Sequence, residues 1–145
     1  MDAAAPQRRE AYPYLQSITT RWADSDVYGH VNNVVYFSYF DTVVNRYLID
    51  KGALDIHRGD VIGLVVENTC RYFQSLQFPD PVVAGIQVER LGTSSVIYRI
   101  GLFSNEQSEP AAQGRFVHVY VDRHNRKPVP LPEALRAALL PLVGN

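Results

Sequence analysis

Cysteine is nearly absent from this sequence, because Cys70 is the only one. A single thiol excludes an intrachain disulfide and any zinc site built from several cysteines. The four histidines are scattered along the chain, and the nearby carboxylates Asp24 and Asp26 lack the loop of spaced oxygen ligands that calcium sites use. We therefore expect neither a metal nor a bound cofactor.

An excess of positive charge is also lacking, since 14 Lys and Arg residues are balanced by 15 Asp and Glu residues. Nucleic-acid-binding domains usually carry a basic surface, so no nucleic-acid partner is expected. No apolar run reaches the roughly 18 residues that a membrane span requires. The N-terminal stretch MDAAAPQRREAYPYLQ has no apolar core of a signal peptide. We expect a soluble, cytoplasmic protein.

Length and periodicity predict a flexible N-terminal tail over residues 1–12 and a single domain over residues 13–145. A strand is predicted over residues 15–23, and apolar residues at helical spacing predict a long helix from residue 33 to about residue 50. The remaining predicted elements are strands over residues 62–73, 82–91, 95–104 and 112–122 and a short helix after Pro132. This order predicts an α+β fold, in which a curved antiparallel sheet wraps one long helix.

The most informative stretch is RWADSDVYGHVNNVVYFSYFD, from residue 21 to residue 41. It sets Asp24 and Asp26 shortly before the predicted helix, whose first backbone N–H groups have no partner within the helix. A carboxylate beside such donors suits attack on a carbonyl carbon, because it can act as base or nucleophile while the N–H groups stabilise an oxyanion. The alternative is that both aspartates only form the turn and cap the helix.

The segment DSDVYGHVNNVVYFSYFD resembles the signature of hotdog-fold acyl-CoA thioesterases of the 4-hydroxybenzoyl-CoA thioesterase-like group. Three later stretches agree with this resemblance: ENTCRYFQSLQFPD, LGTSS and GRFVHVYVDRHNRKPVPLP. It implies the hotdog fold, a five- or six-stranded sheet around the long helix. It also implies a homodimer or homotetramer with active sites formed between subunits, and hydrolysis of an acyl-CoA thioester to a free carboxylic acid and CoA.

The same resemblance implies roles for individual residues. Asp26 occupies the position of the catalytic carboxylate, as nucleophile or general base, and Asn33 that of the backbone N–H that binds the oxyanion. Asp24 is expected to be structural, and Gly29 to supply a conformation or a close approach that a β-carbon would obstruct. The residues expected at the substrate site are Gly29, His30, Val31, Asn32, Ser94 and Ser95. Glu67 is added to them as a pocket residue because it is an acid in an apolar strand, and the resemblance does not assign it a role.

Two other functions stay open from the residues alone. An acyl group carried by acyl carrier protein would need the same chemistry as an acyl-CoA. A non-catalytic acyl-CoA-binding module would keep the fold without turnover, since a fold does not by itself confer an activity. A hotdog hydratase or dehydratase would use a different arrangement of histidine and acid, which this motif does not show.

Overall fold

The computed structural model of the protein describes residues 5–144. Its α-helices and strands confirm most of the predicted order. In chain order they are β1 (Tyr14–Ile18), α1 (Val35–Asp50), β2 (Val61–Tyr72), β3 (Val82–Leu91), β4 (Ser95–Ser104), β5 (Ala112–Asp122) and α2 (Glu133–Leu139).

The strands form a five-stranded sheet in the order β1-β3-β4-β5-β2, and every neighbouring pair is antiparallel. β5 carries apolar residues on both faces and, as the sequence predicted, lies inside the sheet. β1 and β2 are the two edges. The long helix α1 packs against one face, so the architecture is the hotdog fold.

Helix α1 buries one face because large apolar residues recur at three- and four-residue spacing. Tyr36, Phe40, Val43 and Tyr47 are each at most 3% exposed. Phe40 lies directly over Gly114 of β5, where a β-carbon would collide with the Phe40 ring. Burial of each such side chain contributes about 1.5–3 kcal/mol, which holds the start of α1 at a fixed position on the sheet.

The predicted strand over residues 15–23 is too long. β1 ends at Ile18, and Trp22–Asp24 forms a 3-10 turn. The carboxylate of Asp24 accepts the Arg21 N–H at 2.9 Å and so caps this turn. α1 also starts later than predicted, at Val35, because the two oxygens of Asn32 accept the N–H groups of Val34 and of Val35 and so form a turn just before the helix.

The predicted flexible tail covers residues 1–12. Residues 1–4 lie outside the described part of the chain, and the rest makes contacts that the sequence did not indicate. Arg9–Ala11 forms a 3-10 turn, and Tyr12 is only 5% exposed. The Tyr12 ring packs edge-to-face on Phe103, with ring centroids 5.8 Å apart, over the face of the sheet that carries two glycines, Gly85 and Gly101.

Candidate active site

A tight loop from Asp26 to His30 lies between the 3-10 turn and α1. The Asp26 N–H donates to the His30 carbonyl at 2.8 Å, and the Gly29 N–H donates to the Asp26 carbonyl at 3.1 Å. Gly29 has a φ of +82°, and no atom lies within 4 Å of the position that a β-carbon would take. Gly29 is therefore required for the backbone conformation and not for a close approach.

The backbone of this loop donates hydrogen bonds to one oxygen of the Asp26 carboxylate and none to the other. Oδ1 accepts the backbone N–H groups of Tyr28, at 2.9 Å, and His30, at 3.3 Å. Within residues 5–144 no hydrogen bond to Oδ2 is formed. Asp26 lines a cleft of about 350 Å³, so its carboxylate is oriented by the loop while one oxygen stays available to a ligand.

Asn33 lines the same cleft, and its backbone N–H differs from those of its neighbours. The neighbouring amide groups are all used: the Asn32 N–H donates to the Asp24 carbonyl at 2.8 Å, the Val34 N–H to Asn32 Oδ1 at 3.1 Å and the Val35 N–H to the Asn32 carbonyl at 2.9 Å. Among the described residues, nothing accepts the Asn33 N–H. Asp26 and Asn33, a residue with a partly unpaired carboxylate and one with an unpaired N–H just before α1, therefore line one cleft.

The opposite wall of the cleft follows β2, and sequence reasoning did not find it. Tyr72, the last residue of β2, donates a hydrogen bond of 3.1 Å from its hydroxyl to the Asn33 carbonyl. Burial, followed by the negative charge of the nearby Cys70 once that thiol is ionised, raises the pKa of Tyr72 to about 12. The wall continues through Phe73, Gln74 and Ser75. In the sequence these residues fall within the stretch ENTCRYFQSLQFPD, where the polar pair Gln74–Ser75 directly follows the strand.

Asp24, the first carboxylate of the motif, is 2% exposed and does not line this cleft. Its Oδ1 accepts Nε and Nη2 of Arg21, at 3.0 and 2.9 Å, and its Oδ2 accepts the Tyr39 hydroxyl at 2.9 Å. Burial opposes ionisation, but these donors and the Arg21 N–H together hold the pKa of Asp24 below its usual range. This network matches the structural role expected for Asp24.

The structure groups the predicted contact residues into two sets. His30 and Val31 line the cleft, and Gly29 and Asn32 belong to the backbone that shapes it. Within one chain, the other three predicted contacts do not line this cleft; these are Glu67, Ser94 and Ser95.

Glu67 lies at a β-bulge of β2, where it pairs with Arg115 at 3.4 Å. Ser94 lies in the turn before β4, and its carbonyl accepts the Tyr120 N–H at 2.8 Å. In residues 5–144 no three His, Cys, Asp or Glu side chains are grouped so as to hold a metal ion. Neither α-helix in this range is long and apolar enough to cross a membrane.

The chain is similar to one known protein family and to several solved structures. The sequence profile of the thioesterase-like superfamily matches residues 20–139. The PA5185 protein of Pseudomonas aeruginosa has a crystal structure that is 51% identical, with a TM-score of 0.95 over 97% of this chain and 99% of that one.

Two further solved structures similar to this chain are of thioesterases. A Thermus thermophilus thioesterase complexed with coenzyme A and Zn is 30% identical, with a TM-score of 0.74 over 92% of this chain and 96% of that one. The 1,4-dihydroxy-2-naphthoyl-CoA thioesterase Slr0204 of Synechocystis is 17% identical, with a TM-score of 0.80 over 88% of this chain and 95% of that one. The last likeness concerns the fold alone.

Proposed function

Because the chain belongs to the thioesterase-like superfamily, we propose that it is a hydrolase of acyl-CoA thioesters, with Asp26 as its catalytic carboxylate and the Asn33 N–H as its oxyanion donor. One observation carries the proposal: Asp26, whose carboxylate has one oxygen without a hydrogen bond, and Asn33, whose N–H has no acceptor among the described residues, line the same cleft. The bound coenzyme A in the Thermus relative supports CoA as the thiol part of the substrate.

In the proposed reaction the thioester oxygen accepts the Asn33 N–H, which stabilises the negative charge that develops as the carbonyl carbon is attacked. In the nucleophilic route, an Asp26 oxygen bonds to that carbon and the CoA thiolate leaves. Water then hydrolyses the resulting anhydride, which releases the acid and restores Asp26. In the general-base route, Asp26 takes a proton from water as the water attacks, the C–S bond then breaks, and the departing CoA sulfur takes that proton from Asp26. Neither route requires a resident cofactor.

The proposal includes a homodimer, on two observations about exposed surface. β2 is a twelve-residue edge strand with one unpaired side, and Val65 and Val66 on it are 49% and 59% exposed. Unprotected edges of this kind pair readily with another strand. The Asp26 loop itself exposes Val27 and Tyr28, at 93% and 81%. A second copy would cover apolar surface of this kind and would bring further residues to the cleft.

The test is thiol release from a panel of short, medium, long and aromatic acyl-CoAs, measured for the wild type and Asp26→Asn together. The proposal expects wild-type release that falls about 10²-fold or more in the variant, while the variant still binds acyl-CoA and melts normally. Equal release by both proteins would remove Asp26 from the reaction. If the wild type binds acyl-CoAs and releases no thiol even from an acyl carrier protein, the chain is a binding module.

A further inference from the structure

The first carboxylate of the motif connects the parts of the site without touching the cleft. Asp24 lies two residues before Asp26, and its carboxylate is held by Arg21 and by the Tyr39 hydroxyl of α1. Its main-chain carbonyl accepts the Asn32 N–H at 2.8 Å. One buried residue is thus bonded to the helix, to the chain that enters the Asp26 loop and to the chain that leaves it.

From these contacts we propose that Asp24 and Tyr39 form a positioning pair, which sets the Asp26 carboxylate and the Asn33 N–H relative to each other. The inference rests on the proposed function, because it assigns no contact with substrate to either residue. Asp24 acts through its main-chain carbonyl, which accepts the Asn32 N–H and so fixes the peptide unit just before the Asn33 amide. Tyr39 acts through the Asp24 carboxylate, which it ties to α1.

The Asp26 loop needs such a positioning pair because of how it is held. Between Ser25 and Val31 the chain forms a narrow loop closed by an isolated β-bridge. Residues of the loop that follow Asp26, such as Val27 and Tyr28, are highly exposed, so within one chain little packing holds the loop from outside. The bonds that fix its base come from Asp24 and from the Leu76 carbonyl, which accepts the Val31 N–H at 2.8 Å.

A misplacement of about 1 Å between reacting groups can lower a rate by about 10²-fold. The geometry therefore predicts that a change far from the substrate lowers kcat. Substrate binding depends on the walls of the cleft, which neither Asp24 nor Tyr39 lines. KM should then stay near its wild-type value, which is the kinetic signature of an interaction used only at the chemical step.

The test compares Tyr39→Phe with Tyr47→Phe. Both residues lie in α1, both are at most 4% exposed, and each loses one hydroxyl hydrogen bond. The Tyr47 hydroxyl donates to the Ala138 carbonyl at 2.6 Å, away from the loop. Tyr39→Phe should lower kcat about 10-fold or more with KM unchanged, whereas Tyr47→Phe should keep the wild-type kcat. Asp24→Asn, which keeps the shape and removes the charge, should lower kcat at least as far as Tyr39→Phe.

Three results would overturn the proposal: an unchanged kcat in Tyr39→Phe, an equal loss in Tyr47→Phe, or a fall that appears in KM alone. A wild type without thioesterase activity would refute the proposed function separately. In that case the rate of backbone hydrogen exchange tests the positioning role independently of activity. The positioning role predicts that Tyr39→Phe, and not Tyr47→Phe, speeds exchange of the Asn32 amide, and equal rates in both variants would refute it.

Discussion

The hydroxyl of Tyr72 donates a hydrogen bond of 3.1 Å to the carbonyl oxygen of Asn33. This bond joins the last residue of the edge strand β2 to the segment that opens α1. It also links the two walls of the cleft that holds the Asp26 carboxylate. The Asn33 residue is thus held through its carbonyl while its N–H has no acceptor among the described residues.

Replacing Tyr72 by Phe should lower kcat modestly. A hydrogen bond of this kind contributes about 0.5–1.5 kcal/mol, which corresponds to roughly a 2- to 12-fold change in rate. Tyr14→Phe is the control, because it removes a hydroxyl bond of 2.9 Å to Gln16 on β1, away from the cleft. Steady-state kinetics on both variants checks this, and equal kcat values would show that the link does not orient Asn33.

The conformation of Gly29 should be required for activity. Gly29 and Gly52 both have positive φ, at +82° and +60°, and neither has an atom within 4 Å of a built β-carbon. Each change to Ala should therefore destabilise the fold by about 1–2 kcal/mol, the cost of a left-handed conformation. Only Gly29→Ala should also lower kcat, because it strains the loop that carries Asp26. If Gly52→Ala lowered kcat equally, the effect would be one of general stability.

His118 should make the fold less stable in mild acid. It is 5% exposed, its Nε2 has no hydrogen-bond partner among the described residues, and burial lowers its pKa to about 4. Its ring lies near Tyr98 and Tyr120, and Asp41 lines the same small pocket.

The lowered pKa of His118 determines the direction in which stability changes with pH. Above about pH 6.5 His118 is neutral in both the folded and the unfolded chain, so it does not lower the free energy of unfolding there. As the pH falls from 6.5 to about 4, only the unfolded chain takes up the proton, and up to about 3 kcal/mol is lost. Urea unfolding at pH 7.5 and 4.5 measures this loss, and His118→Leu should reduce it. An equal loss in the variant would assign the acid sensitivity to other groups.

The unpaired edge of β2 should mediate dimerisation. Val66→Lys introduces a charge on that edge, which should disfavour pairing with a second strand. Light scattering after size exclusion should show a dimer for the wild type and a lower mass for the variant. Leu140→Lys is a control at a comparably exposed residue outside the sheet, at 61% exposure. A dimer that survived Val66→Lys would place the interface elsewhere.

The elements themselves were readable from the sequence because their cause is local. Apolar stretches bounded by turn residues predicted β3, β4 and β5 with the bounds that the structure has. The spacing of Tyr36, Phe40 and Tyr47 predicted the buried face of α1. The errors occurred at the ends of elements. There the side chains of Asp24 and Asn32 accept backbone N–H groups and so decide where the 3-10 turn and α1 begin.

Periodicity and turn residues were enough to predict the α+β fold class and the position of the motif from Asp24 to Asn33, because both act over a few neighbours. Which residues share the cleft depends on how distant parts of the chain pack. Tyr72, which comes from the distant strand β2, forms its second wall. Glu67 and Ser94 lie apart from that cleft within one chain. A cleft is closed by contacts between segments far apart in sequence, and no local pattern encodes which segments meet.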